Sequence, residues 1–249
     1  LLGRAGTGID NIDLKLLEKN KIKFIHCPGI NAVATSEFII CMVLNLIKEI
    51  HKIKDSISKN NFSRHVFQMR QLDSMKIGII GLGEVGVNLT KRLSAFNTTI
   101  FGYDISKKNK KTFLSFGGEF VENINQLLKK SNIIILCANL NRKSKNIINK
   151  VNYRYINKGS YLINCARAKL MDQDIILKAL NENILKSVAI DLIAPEPIYK
   201  NEKQKLHDLF YHPNVFYTPH LASLTQETQL KMSVFLAKKI KDYFKNKTF

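Results

Sequence analysis

The amino-acid sequence predicts an α/β fold in which helices cover both faces of a doubly wound parallel sheet. Short apolar runs alternate with longer amphipathic segments, as in successive β-α-β units. The apolar runs are nearly continuous, as at Ile133–Leu136, which is typical of strands buried on both faces. A glycine-rich turn directly follows one of these runs. The 249 residues are enough for one large or two modest domains.

The individual elements follow from local patterns in chain order. A short strand over 22–26 precedes a helix that Thr35 or Ser36 caps and that ends near residue 57. The later predicted elements are strands over 75–80, 99–103, 132–137, 160–164, 187–192 and 215–218, helices over 84–96 and 124–130, a helix from its cap Asp172 to about 183, and a closing helix to about 244 with Ser223 and Gln226 as its capping box.

Composition excludes two classes of partner. The net charge of +19 comes from 39 basic and 20 acidic residues, and a strongly basic chain can bind nucleic acid. However, 32 of the basic residues are Lys, spread along the chain, and only 7 are Arg, the usual base-reading residue. The longest apolar run, over 38–44, has seven residues, far fewer than the roughly 18 that cross a bilayer. We therefore expect neither a nucleic-acid nor a membrane partner.

The cysteines indicate a reducing compartment. They stand at 27, 41, 137 and 165, and no pair has the spacing of a metal site or a CxxC motif. Each lies in an apolar stretch and is expected to be a small buried thiol. We therefore predict no metal and a cytoplasmic location.

The strongest local signal is the glycine-rich turn over 78–86. It follows a predicted strand and opens a predicted helix, and the next strand ends at Asp104, 23 residues after Gly81. This is the dinucleotide-binding fingerprint in its required context, and it predicts a Rossmann domain. Gly81 makes the tight turn, Gly83 lets the backbone approach the pyrophosphate, and Gly86 lets the helix pack on the strand.

Asp104 makes NAD the predicted cofactor. Its carboxylate can accept hydrogen bonds from the adenosine ribose hydroxyls. A 2′-phosphate about 4 Å away would meet a repulsion of roughly 1–4 kcal/mol per pair of unit charges, which disfavours NADP. Lys107 and Lys108 follow and could reduce this repulsion. The alternative interpretation is that residues 78–86 form an ordinary glycine-rich turn and that Asp104 faces the solvent.

Further segments carry signatures beyond this turn. The segment 3–13 reads Gly-Arg-Ala-Gly-Thr-Gly-Ile-Asp-Asn-Ile-Asp, and 164–167 reads Asn-Cys-Ala-Arg. They resemble the substrate loop and the arginine signature of the D-isomer-specific 2-hydroxyacid dehydrogenases. The segments 191–197 and 218–220 resemble that family's glutamate and histidine signatures. All motifs occur in the family's order over nearly the whole chain, and they are most like the branch that oxidises phosphoglycerate.

The chemistry of such an enzyme explains three of these residues. Reducing a 2-oxo acid needs a hydride, a clamp for the carboxylate and a proton for the developing alkoxide. Arg167 offers a permanently charged planar fork to the substrate carboxylate and carbonyl. His220 is the candidate proton donor, and Glu196 is the candidate partner that orients it and favours its charged form.

The resemblance also implies the binding residues. Arg4, Gly6 and Gly8 would meet the substrate carboxylate, partly through backbone N–H groups. The residues implied to line the cofactor, with Asp191 at the nicotinamide carboxamide, are Thr7, Glu84, Val85, Asp104, Ala138, Cys165, Ala166, Asp191 and Ser223.

The sequence departs from the family pattern at several positions. Glu84 stands where the family often has Arg, and Ala138 replaces a residue with a hydroxyl. Ala168 replaces a glycine, so strain is expected if that turn needs a positive φ. Ala222 also replaces a glycine. These departures concern cofactor affinity more than the type of reaction.

The resemblance divides the chain into three parts. Residues 1–28 would be the remnant of a substrate domain, 29–220 the NAD-binding domain, and 221–249 a closing helix that returns to the substrate domain. Since the chain begins with Leu1 and little of the substrate domain is present, we expect a fragment that binds NAD and turns over poorly.

The expected reaction is NAD-dependent oxidation of 3-phosphoglycerate to 3-phosphohydroxypyruvate, the first step of serine biosynthesis. Two alternatives remain open: a glyoxylate, hydroxypyruvate or other D-2-hydroxyacid reductase, and a non-enzymatic NAD-binding scaffold. A helix over 36–57 that is apolar nearly all round predicts a homodimer or higher homo-oligomer.

Overall fold

A seven-stranded parallel sheet forms the centre of the structure, a computed structural model that describes residues 1–192 and 206–245. The strands of the described residues are β1 (Leu2–Gly3), β2 (Phe24–Ile25), β3 (Lys76–Ile80), β4 (Thr99–Tyr103), β5 (Gly118–Phe120), β6 (Ile133–Leu136), β7 (Ser160–Asn164), β8 (Leu185–Ile190) and β9 (Val215–Tyr217). The large sheet has the order β5-β4-β3-β6-β7-β8-β9. The chain therefore winds outward in both directions from β3 and β6, which confirms the doubly wound parallel sheet.

Helices cover both faces of this sheet. They are α1 (Leu14–Lys19), α2 (Ala32–Ile47), α3 (Ile50–Ser58), α4 (Glu84–Leu93), α5 (Lys110–Ser115), α6 (Ile124–Lys130), α7 (Gln173–Asn181) and α8 (Gln226–Lys245). Successive residues of β6 show why its sequence is apolar throughout. Ile133 and Ile135 belong to the core on one face of the sheet, whereas Ile134 and Leu136 belong to the core on the other.

The structure corrects the predicted helix between residues 35 and 57. Helix α2 begins at Ala32, so Thr35 and Ser36 lie inside it and do not cap it. The helix is interrupted at Glu49, whose backbone is left-handed with a φ of 54°, and α3 begins at the next residue. Buried polar contacts hold the break, because the Glu49 carboxylate accepts a hydrogen bond from the Gln68 N–H at 2.9 Å.

The predicted capping box of the closing helix is also wrong. Helix α8 begins at Gln226, and Thr225 Oγ1 accepts a hydrogen bond from the Thr228 N–H at 3.2 Å. Thr225, not Ser223, therefore caps this helix. The short elements β1, α1, α5 and β5 were not predicted, because their apolar patterns are weak.

The N-terminal residues and α8 pack together at one side of the molecule. β1 and β2 pair in a separate two-stranded parallel sheet. A Cβ added to Gly3 would lie 3.2 Å from Leu236 Cδ1, and Cys27 Sγ lies 3.6 Å from the Met232 carbonyl oxygen. The division at residues 28 and 220 stays a prediction, and these contacts are consistent with it.

Three findings concern membrane spans, the cysteines and metal binding. No helix among the described residues is long and apolar enough to span a bilayer. All four cysteines are free thiols. Cys27 and Cys165 are buried and Cys137 is half-buried, but Cys41 is exposed, so the prediction that each is buried is wrong for Cys41. Within the described ranges, no cluster of His, Cys, Asp or Glu is arranged to hold a metal ion.

Candidate active site

A cleft of about 730 Å³ lies at the carboxyl ends of the central strands. This is the ligand-binding edge of an open parallel sheet, where the strand order reverses. The predicted site residues that line it are Thr7, Gly8, Gly81, Gly83, Glu84, Val85, Asp104, Ala138, Cys165, Ala166, Arg167, His220 and Ser223. Arg4, Gly6, Gly86 and Asp191 are not among its lining residues. Glu196 lies outside the described residues.

The glycine-rich turn has the shape that a pyrophosphate requires. Gly81 has a φ of +100°, and a Cβ there would overlap the backbone of Ala138. A Cβ on Gly86 would overlap the carbonyl oxygen of Gly81, so the helix and the turn touch directly. Gly83 faces open space, and no side chain caps the start of α4. The N–H groups there remain available to an anion, so these residues fit a dinucleotide.

Asp104 is held rigidly at the end of β4. Its Oδ2 accepts a hydrogen bond from the Leu82 N–H at 2.6 Å, and its Oδ1 accepts one from the Ser106 N–H at 2.7 Å. The Lys107 ammonium lies 2.8 Å from Glu122 Oε2 in an exposed ion pair, so its charge is already partly offset by that carboxylate. Lys108 lines the cleft and is the remaining candidate to offset the charge of Asp104.

The segment that precedes Asp10 is anchored to the chain between β2 and α2. The Cys27 N–H donates to the Gly6 carbonyl at 3.1 Å. Thr7 Oγ1 lies 2.9 Å from the Cys27 carbonyl and 2.8 Å from Asn31 Oδ1. The N–H groups of Thr7 and Gly8 donate to no other group in the described part of the chain. Two fixed backbone donors thus remain available to an anionic ligand.

Arg4 is not among the lining residues of the cleft. Its Nε is buried without a hydrogen-bond partner among the described residues, and a Cβ on Gly6 would lie 3.3 Å from it. The Arg4 side chain therefore lies against Gly6, although its charge still acts on Asp10. Its predicted contact with the substrate carboxylate stays a prediction.

Arg167 is fixed by a turn that Asn164 builds at the end of β7. The buried Asn164 side chain donates to the Arg167 carbonyl at 2.9 Å and accepts from the Ala166 N–H at 3.1 Å. Ala168 begins a short 3₁₀ turn and does not have a positive φ, so the strain expected there is absent. Asn164 had no predicted role, although an asparagine before an irregular turn is a recognised local signal.

The guanidinium of Arg167 lies against the N-terminal segment. Its Nε donates to Asp10 Oδ1 at 2.9 Å, and its Nη1 donates to the Ala166 carbonyl at 2.7 Å. A Cβ on Gly8 would overlap Nη2 of Arg167, which explains why a glycine is needed there. The sequence analysis gave Asp10 no role, and no local pattern could reveal a contact with a residue so distant in sequence.

His220 sits in a turn that Asp191 organises. His220 has a left-handed φ of 61°, and its N–H donates to the Asp191 carbonyl at 2.7 Å. The fully buried Asp191 carboxylate accepts from the Thr218 hydroxyl at 2.6 Å and from the N–H groups of Leu221 and Ala222, both at 2.8 Å. Its carboxylate thus holds the turn that carries His220, and its predicted contact with the nicotinamide stays a prediction.

Two thiols line the cleft beside Arg167. Burial raises the pKa of the Cys137 thiol to about 12. Burial, together with the charge of Asp191, raises the pKa of Cys165 well above its usual value. Both thiols are therefore neutral near pH 7 and contribute an apolar wall.

The fold and the glycine-rich turn together define a dinucleotide-binding α/β domain. Residues 40–222 match the sequence model described as D-isomer specific 2-hydroxyacid dehydrogenase, NAD binding domain. The chain therefore belongs to the D-isomer-specific 2-hydroxyacid dehydrogenase family. This finding confirms the family resemblance and the prediction of NAD as cofactor.

Individual relatives support the same assignment. The chain is 31% identical over 241 residues to D-3-phosphoglycerate dehydrogenase of Methanocaldococcus jannaschii, covering 97% of this chain and 45% of that protein. It is 30% identical over 244 residues to glyoxylate reductase of Thermofilum pendens, covering 96% of this chain and 70% of that protein. The chain thus spans less than half the length of the phosphoglycerate dehydrogenase.

A solved structure with ligands is similar throughout. The D-lactate dehydrogenase of Aquifex aeolicus, complexed with NAD and lactic acid, superposes with a TM-score of 0.88 at 26% identity. The superposition covers 98% of this chain and 76% of that one.

Proposed function

We propose that this chain forms the cofactor-binding part of an NAD-dependent D-2-hydroxyacid dehydrogenase. The observation that carries the proposal is the position of Arg167, whose Nη2 lies against Gly8 in the cleft that the glycine-rich turn also lines. A guanidinium group and a dinucleotide-binding turn in one cleft are suited to a reaction between NAD and a small carboxylic acid.

Seven residues have a role in this proposal: Thr7, Gly8, Cys137, Cys165, Arg167, Glu196 and His220. The N–H groups of Thr7 and Gly8 and the Arg167 guanidinium hold the carboxylate of a 2-hydroxy or 2-oxo acid. The bound cofactor would accept the hydride as NAD⁺ during oxidation and supply it as NADH during reduction. His220 gives its proton to the carbonyl oxygen during reduction and removes the hydroxyl proton during oxidation. Glu196 orients His220, and the neutral thiols of Cys137 and Cys165 keep water from the reacting atoms.

For the substrate, we propose 3-phosphoglycerate, whose oxidation begins serine biosynthesis. The support is the 31% and 30% identity to the phosphoglycerate dehydrogenases of Methanocaldococcus jannaschii and Bacillus subtilis. A second candidate is reduction of glyoxylate or hydroxypyruvate. It is favoured by the glyoxylate reductase of Thermofilum pendens, of which this chain covers 70%.

Three assays separate these functions. The protein is offered 3-phosphoglycerate with NAD, glyoxylate with NADH, and hydroxypyruvate with NADH, and the absorbance of NADH is followed. We expect the highest kcat/KM with 3-phosphoglycerate. The variant Arg167→Gln should abolish turnover, whereas the control Arg154→Gln, at an exposed arginine outside the cleft, should not. NAD binding without turnover of any of the three, in a protein extended to the length of its relatives, would instead indicate a scaffold.

We also propose a homodimer in a reducing compartment such as the cytoplasm. The apolar side chains of Phe38, Ile40 and Leu44 on α2 are only half-buried, and Phe62 and Val66 are exposed. Such an apolar surface is typical of a subunit interface. Light scattering of the protein at micromolar concentration tests this, and a monomer would contradict it.

A further inference from the structure

We propose that Asp10 is a positioning residue that fixes the orientation of the Arg167 guanidinium for carboxylate binding. The inference rests on the proposed function, because it assigns Arg167 to the carboxylate. It adds a residue that the family signatures leave without a role in this chain.

The contacts of Arg167 carry this inference. Asp10 Oδ1 accepts from Nε at 2.9 Å, and the Ala166 carbonyl accepts from Nη1 at 2.7 Å. Two hydrogen bonds to different nitrogen atoms of a planar group fix both its position and its plane. Nη2 has no hydrogen-bond partner in the described part of the chain, and it lies against Gly8. The donors presented to a ligand are therefore those beside the N–H groups of Thr7 and Gly8.

The pair differs from an ordinary surface ion pair. The side chains of Arg167 and Asp10 are 25% and 35% exposed, and the contact joins the N-terminal segment to the end of β7 across 157 sequence positions. Partial burial by itself would raise the pKa of Asp10, but the hydrogen bond and charge of Arg167, with the charge of Arg4, lower it below its usual value. Asp10 therefore stays ionised at neutral pH.

This geometry gives Asp10 two separable effects. Its oxygen orients the guanidinium, and its negative charge repels an anionic substrate that approaches the same arginine. The variant Asp10→Asn keeps an oxygen acceptor and removes the charge, whereas Asp10→Ala removes both. A comparison of the two variants isolates the orienting effect.

The experiment measures both variants with the protein loaded with NADH. The readouts are kcat for reduction of the best 2-oxo acid, the Kd of oxamate as a substrate-like carboxylate, and the Kd of NADH. The matched controls are Glu37→Gln and Glu37→Ala, which break a half-exposed arginine–carboxylate pair of 3.4 Å with Arg92, outside the cleft.

We expect Asp10→Ala and Asp10→Asn to differ in kcat and in their affinity for oxamate. Because a misplacement of about 1 Å can cost on the order of 10²-fold, Asp10→Ala should lower kcat by about 10- to 100-fold. Asp10→Asn should keep kcat within about 3-fold of wild type. It should lower the Kd of oxamate roughly 2- to 5-fold, because the carboxylate of Asp10 no longer repels that of oxamate. NADH affinity should not change in either variant. If a variant instead unfolded the N-terminal segment, the affinities for NADH and oxamate and the kcat would all fall together.

Other results would overturn the inference. These are wild-type kcat in Asp10→Ala, equal losses in the two Asp10 variants, or the same losses in the Glu37 controls. A wild-type protein that binds NADH and oxamate but reduces no 2-oxo acid, even when extended to the length of its relatives, would refute the proposed function. In that case the Kd of oxamate tests the role of Asp10, and an unchanged Kd in both Asp10 variants would overturn the inference as well.

Discussion

The choice between NAD and NADP should depend on Asp104, and the variant Asp104→Asn tests this. The carboxylate is held by the N–H groups of Leu82 and Ser106 at 2.6 and 2.7 Å, so it cannot turn away from a 2′-phosphate. A phosphate about 4 Å away would be repelled by roughly 1–4 kcal/mol per pair of unit charges. Since about 1.4 kcal/mol corresponds to a factor of ten, the ratio of the two dissociation constants should change by one to three powers of ten.

The assay is a fluorescence titration of NADH and NADPH with the wild type and the variant. The amide of Asn keeps an acceptor for one of the two backbone N–H groups, so the glycine-rich turn should keep its shape. Asp174→Asn is a suitable control, because Asp174 is an exposed acid outside the cleft. An unchanged ratio in Asp104→Asn would mean that this carboxylate does not discriminate between the cofactors.

Further outcomes follow from the same contacts. Arg167→Gln should weaken oxamate and abolish turnover while the Kd of NADH stays within about 3-fold, and loss of NADH binding would contradict its assignment to the carboxylate. His220→Ala should lower kcat by about 10² to 10⁴ with NADH affinity retained, and a wild-type kcat would remove its acid–base role. Gly8→Ala should abolish oxamate binding, because its Cβ would overlap Arg167 Nη2, and normal affinity would show that the guanidinium moves freely. Glu49→Gln should lower stability at pH 7 by about 1–3 kcal/mol. Burial raises the pKa of Glu49, but the Gln68 N–H and Lys186 lower it below its usual value, so this stabilisation is present above the unfolded pKa near 4.3 and disappears as the pH falls through the folded pKa. The melting temperatures of the two proteins should therefore converge in acid, and a constant difference would contradict the ionic role.

The sequence predicts those parts of the structure in which apolar residues recur at a regular spacing or in which a turn needs a particular backbone conformation. The central strands and the turn at Gly81 follow from such patterns, and the structure has both. The break at Glu49 was not predictable, because the contacts that hold it come from Gln68 and from Lys186, 3.3 Å away. Asp10 was missed for the same reason, since its partner Arg167 is distant in sequence. Local patterns thus predict the scaffold and the cofactor turn, whereas long-range pairs decide how the reactive side chains are oriented.

The charge of the molecule explains why acidic residues matter in this cleft. A chain with a net charge of +19 attracts anions of every kind, so attraction alone cannot select among them. Selection requires local negative charges at defined positions. Asp104 stands at the end of β4, where it is predicted to disfavour a 2′-phosphate, and Glu122 pairs with Lys107, which follows Asp104 closely in sequence. Asp10 limits which edge of Arg167 an anion can reach. Neutralising either Asp104 or Asp10 should therefore broaden the range of anions that the cleft accepts, and neither effect should depend on the overall charge of the protein.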